Sequence, residues 1–158
     1  MNLPPRRPPT ARVFRLIKRG DCFPPTAAKP LPGAFRLTND DYDDAQRRRM
    51  PPLLSVWMHD ATTVSQSRAF VIREGEYEPF QWPVEDVEKI AEGDVALTVH
   101  EDPLEDERAG AAGHSGICGL GPADGRPKGE AKRIYKALAN QLAEAATSGP
   151  LEEPSFAG

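Results

Sequence analysis

The chain of 158 residues has few of the residues that build covalent or metal-bound scaffolds. It contains three histidines and only two cysteines, Cys22 and Cys118, which lie far apart in the sequence. No C-x-x-C pair occurs, so neither a disulfide framework nor an all-cysteine zinc site is expected. We therefore predict that both thiols are reduced.

Long hydrophobic runs are also absent. No segment approaches the ~20 consecutive apolar residues of a membrane-spanning helix. The first ten residues, MNLPPRRPPT, lack the apolar stretch of a secretory signal. These absences predict a cytoplasmic protein with no membrane partner. Most of the 20 basic residues are arginine, and alanine, glycine and proline are abundant, which is typical of a bacterial, GC-rich genome.

Charge is unevenly distributed along the chain. The formal net charge is -4, yet residues 1–20 carry six cations and no carboxylate. Because four of the first ten residues are prolines, we predict that residues 1–10 form a disordered Pro/Arg-rich arm. Arg6, Arg7 and Arg12 are then the candidate partner-binding residues. An acidic protein surface is the expected partner, and weak binding of nucleic-acid phosphates through residues 1–20 is the alternative.

The remaining pattern predicts one α+β domain over residues 11–148, followed by a flexible tail over residues 149–158. Its sheet is expected to be small and mixed or antiparallel, covered by a C-terminal amphipathic helix and shorter helices. Apolar runs and alternation predict strands at 12–18, 52–58, 95–100 and 114–120, and EGEYEPFQW, residues 74–82, is predicted to be a turn that leads into an extended piece.

Helix signals are clearest at four places. Thr38 or Asn39 is expected to cap a helix that ends before Pro51, and Asp60 or Thr62 to cap another, whose second half, 69–73, is equally compatible with a strand. A third helix is predicted from Pro83 to Gly93. The C-terminal helix is predicted over 128–146, with an apolar stripe of Ala131, Ile134, Tyr135, Leu138, Leu142 and Ala145.

Residues 100–121, HEDPLEDERAGAAGHSGICGLG, hold the densest set of reactive side chains. If the strands at 95–100 and 114–120 pair, His100 and His114 flank the mouth of one loop, with Asp102 on the loop. Two imidazoles and a carboxylate are a suitable face for a divalent metal that activates water. His100, Asp102 and His114 are therefore the candidate metal ligands, and a divalent metal is the candidate cofactor.

The same loop contains a candidate nucleophile. Gly113-His114-Ser115-Gly116-Ile117 resembles the G-x-S-x-G nucleophile elbow of α/β-hydrolases, except that the second glycine comes one residue early. Ser115, His100 and His114 form the candidate catalytic set. In this arrangement His59 or His100 would act as the base, and Asp60 or Asp102 would orient it.

Single residues are also similar to parts of the nicotinamide-binding clefts of ADP-ribosyltransferase-like toxins. That resemblance would assign an arginine on the first strand to Arg12 or Arg15, a strand serine to Ser55 and an acid to Glu74 or Glu85. The flanking patterns of the family are absent.

These observations lead to one principal functional prediction and two alternatives. The principal prediction is a small binding or accessory protein that recognises a protein partner through its long loops. The first alternative is a small enzyme, either a metal-assisted hydrolase or a toxin-like transferase, with its site around His100, Asp102, His114 and Ser115. The second alternative is phosphate binding by the N-terminal arm.

Overall fold

The computed structural model of the protein describes residues 3–148, so the predicted tail at 149–158 lies outside the described residues. The strands are β1 (Arg12–Lys18), β2 (Leu53–Met58), β3 (Tyr77–Pro83), β4 (Ala91–Glu92), β5 (Val95–Ala96), β6 (Thr98–Glu101), β7 (His114–Cys118) and β8 (Thr147–Ser148). The α-helices are α1 (Asn39–Arg48), α2 (Val64–Arg68), α3 (Val84–Glu88) and α4 (Ala131–Ala145). Within the described part, no helix is both long and apolar enough to cross a membrane.

Six strands form one antiparallel sheet in the order β6-β7-β2-β1-β3-β8, and β4 pairs with β5 in a separate ribbon. The longest ladder joins β1 to β3 over seven residue pairs, from Arg12 opposite Pro83 to Lys18 opposite Tyr77. Together with the helices, this sheet confirms the predicted α+β class. Of the two predicted sheet types, the antiparallel one is present.

The core lies between one face of the sheet and α4. Val13, Val56 and Trp82 are fully buried on that face, and Leu138 and Leu142 meet them from the helix. The Trp82 Nε1–H also donates to the Leu142 carbonyl at 2.9 Å. Of the predicted apolar stripe, Leu138 and Leu142 are buried and Ile134 and Tyr135 are partly buried against the core, whereas Ala145 is exposed. Ala139 and Ala143, which the prediction left out, are buried as well.

Helix α1 begins where its sequence signal places it. The Thr38 hydroxyl accepts from the Asp41 backbone N–H at 3.3 Å, and the Asp41 carboxylate accepts from the Thr38 N–H at 2.7 Å, which forms a capping box. The helix ends at Arg48, and Arg49, whose φ of 54° lies in the left-handed region, caps its C-terminus. Thr38, rather than Asn39, is thus the cap.

Three other local predictions were wrong in detail. Helix α2 is capped by Thr63 instead of Asp60 or Thr62, because the Thr62 hydroxyl donates to the Gly110 carbonyl at 2.7 Å. The helix predicted to run to Gly93 ends at Glu88, since Ala91–Glu92 turns back to pair with β5. The strand predicted over 95–100 is divided at Leu97 into β5 and β6.

The N-terminal arm (residues 1–10, described from residue 3) makes backbone hydrogen bonds with β6. The Arg7 N–H donates to the Val99 carbonyl at 2.9 Å, and the Glu101 N–H donates to the Pro5 carbonyl at 2.8 Å. The arm therefore lies along the outer edge of β6. An edge strand has unpaired backbone groups, and an extended proline-rich segment satisfies them without forming regular structure of its own.

Candidate functional site

The loop between β6 and β7 is anchored at both ends, as the sequence predicted for these two strands. His100 pairs with Gly116 in the antiparallel ladder. One step further along, the Asp102 N–H donates to the His114 carbonyl at 3.0 Å. Asp102 and His114 are therefore brought together where the loop leaves the sheet.

The neighbouring strand β2 adds a serine to this pair. His114 Nδ1 lies 2.8 Å from the Asp102 carbonyl oxygen and 3.4 Å from its carboxylate Oδ2, and His114 Nε2 lies 3.2 Å from Ser55 Oγ. Since Nδ1 faces two acceptors, it carries the proton, and Nε2 accepts from the Ser55 hydroxyl. We call Ser55, His114 and Asp102 the triad. Its order is that of a nucleophile, a base and an orienting acid.

Strand register places the triad on the sheet face opposite α4. In the β2–β7 ladder, Ser55 is opposite Gly116 and Trp57 is opposite His114, so all four residues share one face. The imidazole stands edge-on to the Trp57 ring, with 4.8 Å between the ring centroids. At Gly116, a Cβ would come within 2.5 Å of the Leu53 Cβ, so glycine permits this close approach beside the site.

Arg48 holds the carboxylate end of the triad. Its Nη2 lies 2.6 Å from Asp102 Oδ1, and its Nη1 lies 3.4 Å from Oδ2. Burial alone would raise the pKa of the Asp102 carboxyl, but hydrogen bonds from His114 and Arg48 outweigh it and lower that pKa to about 2. Asp102 is therefore ionised at neutral pH and stabilises positive charge on the imidazole.

Two clefts meet at the triad, and Ser55, His114 and Leu104 line both of them. The apolar cleft has a volume of about 240 Å³, and its further walls include Leu16, Trp57, Phe70 and Val71. The acidic cleft has a volume of about 320 Å³, and its further lining includes Asp40, Asp41, Asp44 and Arg48. Ser55 is thus reachable from an apolar side and from a negatively charged side.

A cation also lies beside Ser55. Arg15 lines the apolar cleft, and its Nη1 donates to the Ser55 carbonyl at 2.7 Å while its Nε donates to the Ala34 carbonyl at 3.2 Å. Burial lowers the pKa of Arg15, although the charge of Asp41 partly restores it. An arginine nevertheless stays protonated in a protein, so a positive charge is held against the Ser55 backbone carbonyl.

The third predicted metal ligand does not join this group. One ring nitrogen of His100 lies 2.7 Å from Thr98 Oγ1, and the other lies 2.8 Å from the Pro4 carbonyl oxygen. Within the described part of the chain, no three His, Cys, Asp or Glu side chains are placed to hold one metal ion. The structure thus unites Asp102 and His114 but leaves His100 out.

The predicted nucleophile Ser115 faces the other side of the sheet. Its fully buried hydroxyl donates to the Gly113 carbonyl at 3.0 Å and accepts from Arg7 Nε at 3.0 Å. The serine at the histidine is Ser55, which sequence reasoning assigned to a buried strand. The sequence had pointed to Ser55 only through the toxin resemblance, and the one further signal was that it is the one polar residue inside the apolar run PLLSVWM.

The arginines predicted to bind a partner all contact their own chain. Arg6 forms a 2.7 Å ion pair with Glu88, and Arg12 Nε donates to Gln81 at 3.0 Å. Arg7, besides its contact with Ser115, donates to the Ala112 carbonyl at 3.2 Å. Burial lowers the pKa of Arg7, and the charge of the nearby Glu101 opposes that effect.

Of the residues that resemble the toxin cleft, Arg15 and Ser55 come together and the rest do not. Arg12 contacts Gln81, as described above. Neither Glu74 nor Glu85 lines the apolar or the acidic cleft. The acid beside Ser55 and its histidine is Asp102.

Replacing Asp102 with asparagine is expected to change how stability depends on pH. The pKa of Asp102 falls from 3.8 to about 2 on folding, so its contribution is present above pH ~4 and is lost as pH falls through about 2. After allowance for solvent screening, we expect Asp102→Asn to lower the free energy of unfolding at pH ~6 by about 1–2 kcal/mol. Urea unfolding of wild type and Asp102→Asn between pH ~2 and ~6 measures it.

We expect the difference in unfolding free energy between wild type and Asp102→Asn to become smaller as the pH is lowered. Asp60→Asn, which alters an exposed carboxyl outside the triad, serves as the control. A difference between wild type and Asp102→Asn that stays constant across this pH range would contradict the ion pairing described for Asp102.

Comparison with known proteins assigns the chain to no family. Neither a protein-family model, nor a curated protein, nor a solved structure matches it.

Proposed function

We propose that the protein is a small serine hydrolase that cleaves carboxylic esters, with Ser55 as nucleophile. The observation that carries the proposal is the 3.2 Å contact between Ser55 Oγ and His114 Nε2, on an imidazole whose Nδ1 is held by Asp102. A serine hydroxyl is a weak nucleophile until a neighbouring base takes its proton. The recurrence of this arrangement on unrelated folds means that geometry, rather than chain order, identifies it.

The proposed reaction has two stages. In the first, His114 Nε2 takes the Ser55 proton as Oγ bonds to the ester carbonyl carbon, and the alcohol then leaves with that proton. In the second, water attacks the acyl-serine while His114 accepts one of its protons, and the acid is released as the proton returns to Ser55. The ionised Asp102 stabilises the imidazolium that forms in each stage.

Arg15 supports Ser55 from the opposite face of the sheet. In the β1–β3 ladder Arg15 is opposite Phe80 and Val13 is opposite Trp82, so its side chain starts on the face that α4 covers. Its guanidinium donates to the backbone carbonyls of Ser55 and Ala34, and this cation therefore holds the backbone of the proposed nucleophile.

The two clefts suggest the substrate class. The apolar cleft, at about 240 Å³, is smaller than the ~300–1,000 Å³ of sites for drug-sized ligands and suits a short acyl group. The carboxylates of Asp40, Asp41 and Asp44 on the other side disfavour an anionic leaving group. A short-chain ester of a neutral or cationic alcohol fits both clefts.

The other functional predictions remain predictions. A protein partner recognised through the long loops, and phosphate binding through the N-terminal arm, lack a specific contact in their favour. Arg6, Arg7 and Arg12, which carried both ideas, are engaged within the chain. A metal-assisted hydrolase would need His100 beside the triad, where the structure does not bring it.

A fluorophosphonate probe tests the proposal because it forms a covalent bond only with an activated serine. We expect the wild-type protein to be labelled on Ser55, as located by mass spectrometry of its peptides. Ser55→Ala should not be labelled, whereas Ser115→Ala should be labelled like wild type. The two serines lie on paired strands, and only Ser55 contacts the histidine.

The same variants should differ in hydrolysis of p-nitrophenyl acetate, with Ser55→Ala reduced to the rate in buffer. Circular dichroism and melting curves would establish that both variants are folded. Labelling at a residue other than Ser55, or a folded wild type that neither reacts with the probe nor cleaves the ester, would overturn the proposal.

A further inference from the structure

A third cleft lies away from the triad, where the beginnings of α1 and α4 face the segment that follows β7. It has a volume of about 600 Å³ and shares no lining residue with the apolar or the acidic cleft. Among the described residues that line it there are five cations and no carboxylate. We call it the basic cleft, and its cations are Arg36, Arg126, Lys128, Lys132 and Lys136.

This concentration of positive charge runs against the composition of the whole chain, whose formal net charge is -4. Lys132 and Lys136 are four residues apart on α4, so they lie on one side of the helix about one turn apart. Lys128 continues the row just before α4 begins at Ala131. Three flexible ammonium groups therefore reach into one concave space.

Arg126 adds a positioned guanidinium to the row. Its Nε donates to Asn39 Oδ1 at 2.9 Å, and its Nη2 forms a 3.0 Å ion pair with Asp43. The guanidinium carbon also lies 5.7 Å from the centroid of the Tyr42 ring. These contacts fix the arginine at the wall of the cleft beside the lysines, with its charge paired to Asp43.

Two tyrosines provide the uncharged surface of the basic cleft. Tyr42 and Tyr135 both line it. Burial raises the pKa of each phenol, and the proximity of Tyr135 raises that of Tyr42 further, so both rings stay neutral at physiological pH. Neutral aromatic rings beside cations are the combination that binds a planar base next to phosphate groups.

We propose that the basic cleft binds a nucleoside polyphosphate, with its base against the tyrosines and its phosphates on the lysines. The volume lies within the ~300–1,000 Å³ range of small-molecule sites. A longer phosphate chain, such as single-stranded nucleic acid, would have to extend from this cleft over an acidic protein. The phosphates of a mononucleotide, in contrast, all lie beside the cations of the basic cleft, and none extends over the acidic surface.

Isothermal titration with ATP tests the proposal on matched variants of α4. Lys132→Gln and Arg133→Gln each remove one positive charge from adjacent positions of the same helix turn. Both side chains are exposed, but only Lys132 lines the basic cleft. We expect wild type and Arg133→Gln to bind ATP alike, and Lys132→Gln to bind roughly tenfold more weakly.

Further ligands and variants sharpen the result. Lys132→Arg, which keeps the charge, should retain most of the affinity, and melting curves without ligand would establish that each variant is folded. Inorganic tripolyphosphate should bind more weakly than ATP, since it has no base to contact Tyr42 and Tyr135. Ser55→Ala should bind ATP like wild type, which separates this site from the proposed hydrolase.

Several results would overturn the proposal. These are the absence of ATP binding at millimolar concentration, an equal loss of affinity in Lys132→Gln and Arg133→Gln, tripolyphosphate binding as tightly as ATP, or a single-stranded oligonucleotide binding more tightly than ATP.

Discussion

Replacing His114 with alanine is expected to lower the rate of ester hydrolysis by about 10²–10⁴-fold. The variant keeps Ser55 but removes the group that takes its proton, so the hydroxyl returns to its ordinary low reactivity. The measurement is kcat/KM for p-nitrophenyl acetate, since this quantity reports the loss of transition-state stabilisation. Because the triad places the imidazole beside Ser55, added imidazole should restore part of the lost rate.

His100→Asn is the control for this result. His100 is also a buried histidine on a paired strand, but its ring contacts Thr98 and Pro4. We expect the folded control to keep a rate close to that of wild type. If His100→Asn loses as much activity as His114→Ala, or if His114→Ala keeps the wild-type rate, the assignment of the base is wrong.

Replacing Trp82 with alanine is expected to lower the free energy of unfolding by about 3–5 kcal/mol. Trp82 is fully buried between the sheet and α4, and its indole N–H donates to the Leu142 carbonyl. Removal of the indole therefore leaves a cavity in the core and an unpaired carbonyl. Urea unfolding at neutral pH measures the effect.

Two companion variants separate the causes of that loss. Trp82→Phe keeps a buried ring and should lower the free energy of unfolding less than Trp82→Ala does. About 1 kcal/mol of its decrease should come from the absent hydrogen bond to the Leu142 carbonyl. Ile72→Ala changes a side chain that is 97% exposed and should stay within about 0.5 kcal/mol of wild type. A Trp82→Ala variant as stable as Ile72→Ala would show that α4 does not depend on this contact.

Much of the fold could be predicted because its signals are local. The cap at Thr38 requires only a hydroxyl and an acid three residues later, and both lie within one short stretch of the sequence. The stripe on α4 and the pairing of β6 with β7 likewise follow from periodicity over short stretches. Such patterns determine which residues turn towards a core, but not which distant residues meet.

The site could be predicted only in part for that reason. Asp102 and His114 lie at the two ends of one loop, so the pairing of the flanking strands was enough to bring them together. Ser55 lies 59 residues before His114 and reaches it only through the register of β2 against β7. A shift of that register by one residue would turn the serine into the core.

The contacts of the N-terminal arm have a consequence for how separate molecules meet in solution. An uncovered sheet edge invites a strand from a neighbouring molecule, and such contacts propagate into aggregates. The arm covers the β6 edge from within the same chain, through Pro5 and Arg7. Because Pro4, Pro5, Pro8 and Pro9 have no N–H to donate, the arm offers little to the next strand in turn. The arm therefore ends the sheet on that side and leaves no free strand edge there for a neighbouring molecule to pair with.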